Sequence, residues 1–342
     1  MLVSIVMPAF NAEAYIGSAI ASALQQSERR LEVLVIDDGS TDRTGEIAQA
    51  AAAADERVRY VRMEVNGGPA AARNRALGMA RGDWIALLDA DDRFHPRRLE
   101  LLISLGERAG ADIVSDNLIM CPDGGDQPDT LMIPHEQLAQ ETQLSTAAFI
   151  EGNIGSRKNP RCSYGFMQPL FRREFLEAHG LIYDERNRFA EDFLFYVECL
   201  ARGARWWVTP EPMYYYTIRK GSLTEQQSSA DLMRLRNATR QLLADPQTAL
   251  DPALTRALQR HSRKIDRSYY YRAFTDAMKG RQFDLAARLL FESGDSLNHV
   301  IRESASQAPV ILRKAMRGGY WRSRSSGLEA VERVRDFGRS IS

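Results

Sequence analysis

Leu31-Glu32-Val33-Leu34-Val35-Ile36-Asp37-Asp38-Gly39-Ser40-Thr41 is the stretch on which the fold turns. Residues 31–36 are apolar at nearly every position. A strand apolar on both sides is covered on both faces, as in a parallel sheet. The run then meets two acids and a glycine. Gly39 permits a tight turn, and Ser40 or Thr41 can cap the alanine-rich helix that follows through Ala54. Strand, acidic turn and helix make one step of an alternating α/β chain.

The same alternation continues on both sides. Leu2–Met7 is a β-type apolar run ended by Pro8, with no basic region before it, so it reads as a first strand and not as a signal peptide. Asn11 can cap a helix whose apolar positions Tyr15, Ile16, Ala19, Ile20, Ala23 and Leu24 keep the helical period. Downstream, Val58–Val61 is a third strand. Gly67-Gly68-Pro69 is a turn whose proline starts a helix from Ala70 to near Ala80. Trp84–Leu88 is a fourth strand running into Asp89, and Asp92 can cap a helix beginning near Pro96. This spacing predicts an open α/β sheet that binds ligands outside the carboxyl ends of its strands. Pro, Gly and Asp cluster in a loop from Cys121 to Pro134. A new pattern starts near Phe149, and the chain is mostly helical from Asp231.

Composition removes several classes of function. The 342 residues suit about two domains at roughly 150 residues each. Lys plus Arg and Asp plus Glu number 45 each, so no global charge favours nucleic acid. Cys121, Cys162 and Cys199 are odd in number and widely spaced, which argues against a disulfide framework or zinc site and fits a reducing compartment. No apolar run reaches the ~18–20 residues of a membrane span. The five histidines form no metal-spaced pair and are expected to be structural.

Two acidic clusters stand at strand ends, Asp37-Asp38 and Asp89-Ala90-Asp91-Asp92. Carboxylates facing one crevice repel each other unless a cation or donor groups compensate them. Mg²⁺ or Mn²⁺ suits such a place, taking one or two carboxylates plus phosphate oxygens and water.

Four segments together resemble family 2 glycosyltransferases of the GT-A fold: Ser4-Ile5-Val6-Met7-Pro8-Ala9-Phe10-Asn11, Val35-Ile36-Asp37-Asp38-Gly39-Ser40-Thr41-Asp42, Ala72-Arg73-Asn74 and Leu88-Asp89-Ala90-Asp91-Asp92. They follow the family's order and spacing, and Glu191-Asp192 extends the match to about residue 224. The resemblance implies a Rossmann-like open mixed sheet flanked by helices. Residues 1–115 form its nucleotide-sugar half, 116–228 its acceptor and catalytic-base half, and 229–342 a mostly helical, basic extension.

The resemblance also implies roles. Pro8, Phe10 and Asp38 hold the nucleotide base, and Arg73 lies beside the base and diphosphate. Asp91 binds Mn²⁺ or Mg²⁺, and Asp89 contacts the ribose or metal-bound water. Asp192 is the base of an inverting transfer; at a helix N-terminus its pKa is expected to be lowered, which keeps it ionised. Tyr214–Thr224 resembles the segment that closes over the donor, with Arg219 or Lys220 pairing to diphosphate oxygens. Gly165–Arg173 and Trp206-Trp207 are candidate acceptor elements, the tryptophans stacking on sugar or lying in the core.

The implied activity is transfer of one sugar from a nucleotide-sugar, UDP-linked, to a growing glycan. Absence of a QxxRW motif and of membrane spans separates the chain from processive synthases. The pattern is similar to bacterial exopolysaccharide enzymes of succinoglycan type, which act on lipid-linked repeat units. The competing classes are a sugar-nucleotide-binding nucleotidyltransferase and a non-catalytic binding protein. The former lacks its Gly-rich, Arg-containing loop here, and the latter would lose Asp91 or Asp192. Arg313–Arg324 carries five cations and no acid, with Tyr320 and Trp321 interleaved. Such a segment suits an anionic bilayer, so the expected location is cytoplasmic, at the inner face of the plasma membrane.

Overall fold

The computed structural model describes residues 1–123, 129–154, 164–219, 228–249, 251–292 and 295–304. The chain divides into two compact units, Met1–Ile265 and Asp266–Ser342.

The first unit opens with β1 (Val3–Ala9), α1 (Ile16–Leu24), β2 (Leu31–Asp37), α2 (Thr44–Ala54), β3 (Val58–Arg62), α3 (Pro69–Leu77) and β4 (Trp84–Leu87). This is the alternation expected from the sequence. β5 (Arg93–Phe94), α4 (Arg98–Ala109), β6 (Ile113–Pro122), β7 (Thr130–Leu131), β8 (Thr142–Leu144) and α5 (Thr146–Ile154) follow. A 3₁₀ turn at Tyr164–Phe166 leads to β9 (Leu170–Arg172), α6 (Arg173–Ala178), α7 (Glu191–Ala201) and β10 (Trp206–Ile218). The helices α8 (Ser229–Ala244), α9 (Pro246–Ala249), α10 (Pro252–Lys279) and α11 (Phe283–Phe291) follow, in line with the helical pattern read from Asp231.

One mixed sheet runs β3-β2-β1-β4-β9-β6-β10-β5, with β7 on β6 and β8 on β10. β3, β2, β1 and β4 are parallel neighbours. β9 joins antiparallel between β4 and β6. The sheet is therefore open and mixed, and β2 is buried at every position.

Several local expectations are corrected. Pro8 does not end β1; it pairs in register with Ile36, one residue before the strand stops. β4 matches β1 only as far as Val6. The edge of Pro8 that lacks an N–H thus faces past the end of β4, where the ladder needs no donor. Asn11 does not cap α1: it sits at φ 47, and its Oδ1 accepts the Thr41 N–H at 2.9 Å. Ser40 does not cap α2, because its Oγ accepts the Asn11 N–H at 3.0 Å. Trp206 is fully buried, donates from Nε1 to Ser115 Oγ at 2.7 Å and opens β10, so it lies in the core and is not free to stack on sugar. His261 is buried and stacks on Phe193, as a structural histidine does.

Candidate active site

The acidic clusters lie where the strands end. Asp37 is fully buried and accepts from the Ser40 N–H, the Tyr60 hydroxyl and Arg62, which makes it a turn-forming residue. Asp38 follows it out of β2. One of its oxygens accepts the Gly67 N–H at 2.7 Å and the other the Gly68 N–H at 2.8 Å. Gly68 has φ +86, a left-handed conformation in which a side chain would be strained. Burial raises the Asp38 pKa, and the two backbone donors oppose it. Asp38 is thus a loop tether as well as an acceptor with lone pairs to spare. Pro8 is half-buried on the adjacent strand β1, opposite Ile36, and Phe10 is 47% exposed despite its apolar ring.

The Asp89–Asp92 loop is held from three sides. Asp89 Oδ1 lies 3.0 Å from Arg73 Nη2, and its Oδ2 accepts from Gln168 Nε2 at 3.0 Å. Asp91 pairs with Arg219 Nε at 2.8 Å. Burial and then the neighbouring Asp89 push its pKa up, while Arg219 pulls it down. Asp92 caps no helix. Its Oδ2 accepts the Tyr214 hydroxyl at 2.7 Å and its Oδ1 the Thr217 N–H at 2.7 Å, which clips β10 onto the acidic loop. Tyr214 oxygen in turn accepts the Asp89 N–H at 3.2 Å. Burial drives the Asp92 pKa well above the carboxylate range, helped by Asp91 and Asp89.

Arg73 lies at the centre. Its side chain is 3% exposed, with Nη1 2.8 Å from Glu191 and 3.3 Å from Asp192. Burial opposes its charge, but Asp192, Asp89 and Glu191 outweigh that and hold its pKa well above the ordinary value. The tripeptide Ala72-Arg73-Asn74 now has a physical account. Ala72 is fully buried, Arg73 joins the carboxylates, and Asn74 clamps Tyr183 by accepting its N–H at 2.8 Å and donating to its carbonyl at 2.9 Å. Tyr183 in turn presents its ring to Arg73, 5.5 Å from the guanidinium.

Asp192 stands in the first turn of α7, as its sequence context suggests. Its pKa differs from expectation: it is pushed up to about 8, chiefly by burial, with Glu191 and Asp89 adding to the rise and Arg73 opposing it. A helix N-terminus contributes only a modest stabilisation of an anion. Desolvation among like charges exceeds it.

Pro8, Phe10 and Asp38 fall at the ends of β1 and β2, whereas Arg73 gathers Asp89 and Asp192, and Arg219 pairs separately with Asp91. Lys220 and Gly221 lie outside the described residues, as do Cys162 and the basic segment 309–342. Cys121 and Cys199 are free thiols. Glu191, Gln168, Tyr214 and the clip made by Asp92 were not assigned site roles from sequence. Glu191 carried a signal as the partner of Asp192 in the acidic pair, and Gln168 and Tyr214 lie in segments read as acceptor and donor elements without roles of their own.

The donor chemistry suits a hard divalent ion. Four carboxyl groups share two guanidinium groups, Asp89, Glu191 and Asp192 on Arg73 and Asp91 on Arg219, and Asp92 follows Asp91 in the same loop. No group of three or more His, Cys, Asp or Glu side chains is arranged around one metal position among the described residues. A divalent ion held by Asp91 and Asp89 would have to draw its remaining ligands from phosphate oxygens and water, which is how Mg²⁺ and Mn²⁺ bind.

Residues 4–177 match the family model for glycosyl transferase family 2. The chain belongs to this family. It is 37% identical over 322 residues to the succinoglycan biosynthesis protein ExoU of Rhizobium meliloti, covering 91% of this chain and 92% of that one. The S. aureus TarS 1–349 structure in complex with UDP-GlcNAc superposes with a TM-score of 0.61 at 19% identity, covering 84% of this chain and 90% of that 1–349 chain. The mannosyltransferase PcManGT of Pyrobaculum calidifontis, in complex with GDP-Man and Mn²⁺, gives 0.57 at 17% identity over 90% of this chain and 80% of its own. The fold is GT-A, and the chain is a glycosyltransferase. Membership of a glycosyltransferase family favours glycosyl transfer over the nucleotidyltransferase and the non-catalytic binding protein.

Proposed function

We propose that this glycosyltransferase moves one hexose from a UDP-sugar, with inversion, to a hydroxyl of a lipid-linked exopolysaccharide repeat unit. The observation that carries the reading is Arg73, whose single guanidinium joins Asp89 of the acidic loop to the Glu191-Asp192 pair. One buried cation thus fixes the donor-binding carboxylate relative to the candidate base. The name of the ExoU relative supports the exopolysaccharide context, and the UDP-GlcNAc complex of TarS supports the donor class.

In this reading Phe10 packs on the uracil face, Pro8 lines the base, and Asp38 accepts from the base N–H. Asp192 removes the acceptor proton as the acceptor oxygen attacks the anomeric carbon, and the bond to the diphosphate breaks on the opposite face. A divalent ion at Asp91 and Asp89, Mn²⁺ or Mg²⁺, supplies Lewis-acid neutralisation of the leaving diphosphate. Arg219 pairs with diphosphate oxygens in the donor complex. The test is nucleoside diphosphate release measured over a panel of sugar nucleotides with Mn²⁺ or Mg²⁺. Release from a UDP-sugar, abolished by Asp91→Ala together with metal-dependent UDP binding, is expected. Equally tight, metal-dependent binding by the variant overturns the metal assignment.

Peripheral contact with an anionic membrane at the cytoplasmic face belongs to the same reading. No helix among the described residues is long and apolar enough to cross a membrane. On α11, Phe283 and Phe291 are 61% and 72% exposed, and Ala287 lies between them at the four-residue spacing that keeps one helix face. The basic residues from Arg313 to Arg324 follow in the chain. Each cation near an anionic surface contributes about 1 kcal/mol. Sedimentation with anionic vesicles at low salt compares the full chain with a version ending near Ala308. Equal binding by both removes the tail from the anchor.

A further inference from the structure

We infer that Gln168 is a positioning residue for the acidic loop, setting the orientation in which Asp89 meets its ligand. Its segment was expected to touch acceptor, yet Gln168 is buried and its Nε2 donates to Asp89 Oδ2 at 3.0 Å. With Arg73 on Oδ1, both oxygens of Asp89 carry one protein donor each. A carboxylate oxygen has two acceptor positions. The two donors therefore fix the carboxylate plane and leave one defined position on each oxygen for a ribose hydroxyl or metal-bound water.

Gln168 is itself anchored from behind. Arg98 Nη2 donates to its main-chain carbonyl at 2.5 Å and to Asp116 Oδ1 at 2.7 Å, and both charged side chains are fully buried. Asp116 also accepts the Met213 N–H on β10 at 3.2 Å. The Phe94 and Tyr214 rings lie 4.4 and 5.0 Å from the Arg98 guanidinium. A rigid ion pair in the core thus ends, through one residue, on the ligand-facing carboxylate. Oε1 of Gln168 is buried without a partner among the described residues. An amide with an orphaned acceptor is costly where only packing is needed. Its donor contact to Asp89 is what an apolar side chain of the same size could not supply.

This inference rests on the proposed ligand role of Asp89, and the experiment separates the two. UDP binding with Mn²⁺ by calorimetry, and kcat, are compared in the full chain for Gln168→Met, Asp89→Ala and the double variant. Main-chain anchoring survives Gln168→Met, so its melting temperature stays close to wild type. Loss of an outer partner of a metal-site ligand typically costs about 10–100-fold in metal affinity or activity. That loss is expected in the wild-type background and is expected to vanish in the Asp89→Ala background, where no carboxylate remains to orient. Gln168→Glu, which keeps the volume and removes the donor, is expected to weaken binding in the same direction and covers the case in which the methionine variant fails to fold. An equal loss in both backgrounds, or no loss in either variant, overturns the inference while leaving Asp89 its role. Unchanged UDP–Mn²⁺ binding and kcat in Asp89→Ala alone overturns both.

Discussion

Arg73 Nη1 stands 3.3 Å from Asp192 Oδ1, so the candidate base shares its cation with Glu191 at 2.8 Å. Burial raises the Asp192 pKa, and Arg73 is the largest influence working the other way. A base with a raised pKa is protonated, and idle, until the pH climbs past that value. Arg73→Gln removes the opposing charge, so the rise in kcat/KM with pH should move to higher pH. An opposite charge at this distance is worth about 1–3 pKa units. The profile of kcat/KM reports the free enzyme. A pH–rate profile with an unmoved acidic limb rejects the coupling.

The same shift has a consequence for stability. Because the folded-state pKa of Asp192 is raised, the folded protein binds more protons than the unfolded chain. Stability from this group is present below the unfolded value of about 3.9 and is lost as pH rises through the folded value of about 8. Asp192→Asn has no charge to desolvate. The ligand-free variant should melt at or above wild type at and above pH 8, and lose that advantage in acid. Its kcat should fall by about 10²–10⁴-fold, the usual contribution of a general base. Thermal melts across the pH range, paired with kcat, check both; a variant that is less stable at alkaline pH contradicts the sign.

The parallel half of the sheet was legible because β1, β2 and β4 are nearly continuous apolar runs, and the strands are separated by turn signals and helix periods. Pro69, whose placement needs only local backbone logic, starts α3 as expected. The misreadings share a cause: polar residues near helix starts were given local partners when their partners are distant. Asn11 and Ser40 bond each other's loops instead of capping helices. Asp92 reaches β10. Asp192 was assigned by motif, but its ionisation depends on burial beside residues far away in sequence, which a helix position alone does not report. Gln168 had no local signal, since its contact with Asp89 exists only once β9 lies beside β4.

Asp38 tethers a loop and, in the proposed reading, also holds the base; one substitution separates the two. Its oxygens hold the Gly67 and Gly68 N–H groups, so Asp38→Ala should lower the melting temperature. If it also accepts from the base, UDP affinity should fall further, by the ~1–3 kcal/mol of a buried hydrogen bond, or roughly 5–150-fold. A purine nucleoside diphosphate should lose less. Calorimetry giving unchanged UDP affinity alongside a lowered melting temperature makes Asp38 a loop tether alone.

Asp92 offers a sharper contrast between two substitutions. Its side chain is buried, accepts at both oxygens, and has a pKa driven well above the carboxylate range by burial and by Asp91 and Asp89. Burial and the neighbouring carboxylates thus favour the neutral form of the carboxyl group in the ligand-free protein. Asn is close to a neutral isostere of that form and can still accept the Thr217 N–H. Asp92→Asn should therefore melt near wild type. Asp92→Ala orphans both the Tyr214 hydroxyl and the Thr217 N–H, each at about 1–3 kcal/mol. It should also raise the KM for donor more than it lowers kcat, because Thr217 lies two residues before Arg219, the partner of Asp91. Melting temperatures and steady-state kinetics on the two variants decide the matter. An asparagine variant as unstable as the alanine one means that Asp92 is charged in the folded protein and that the clip depends on its charge.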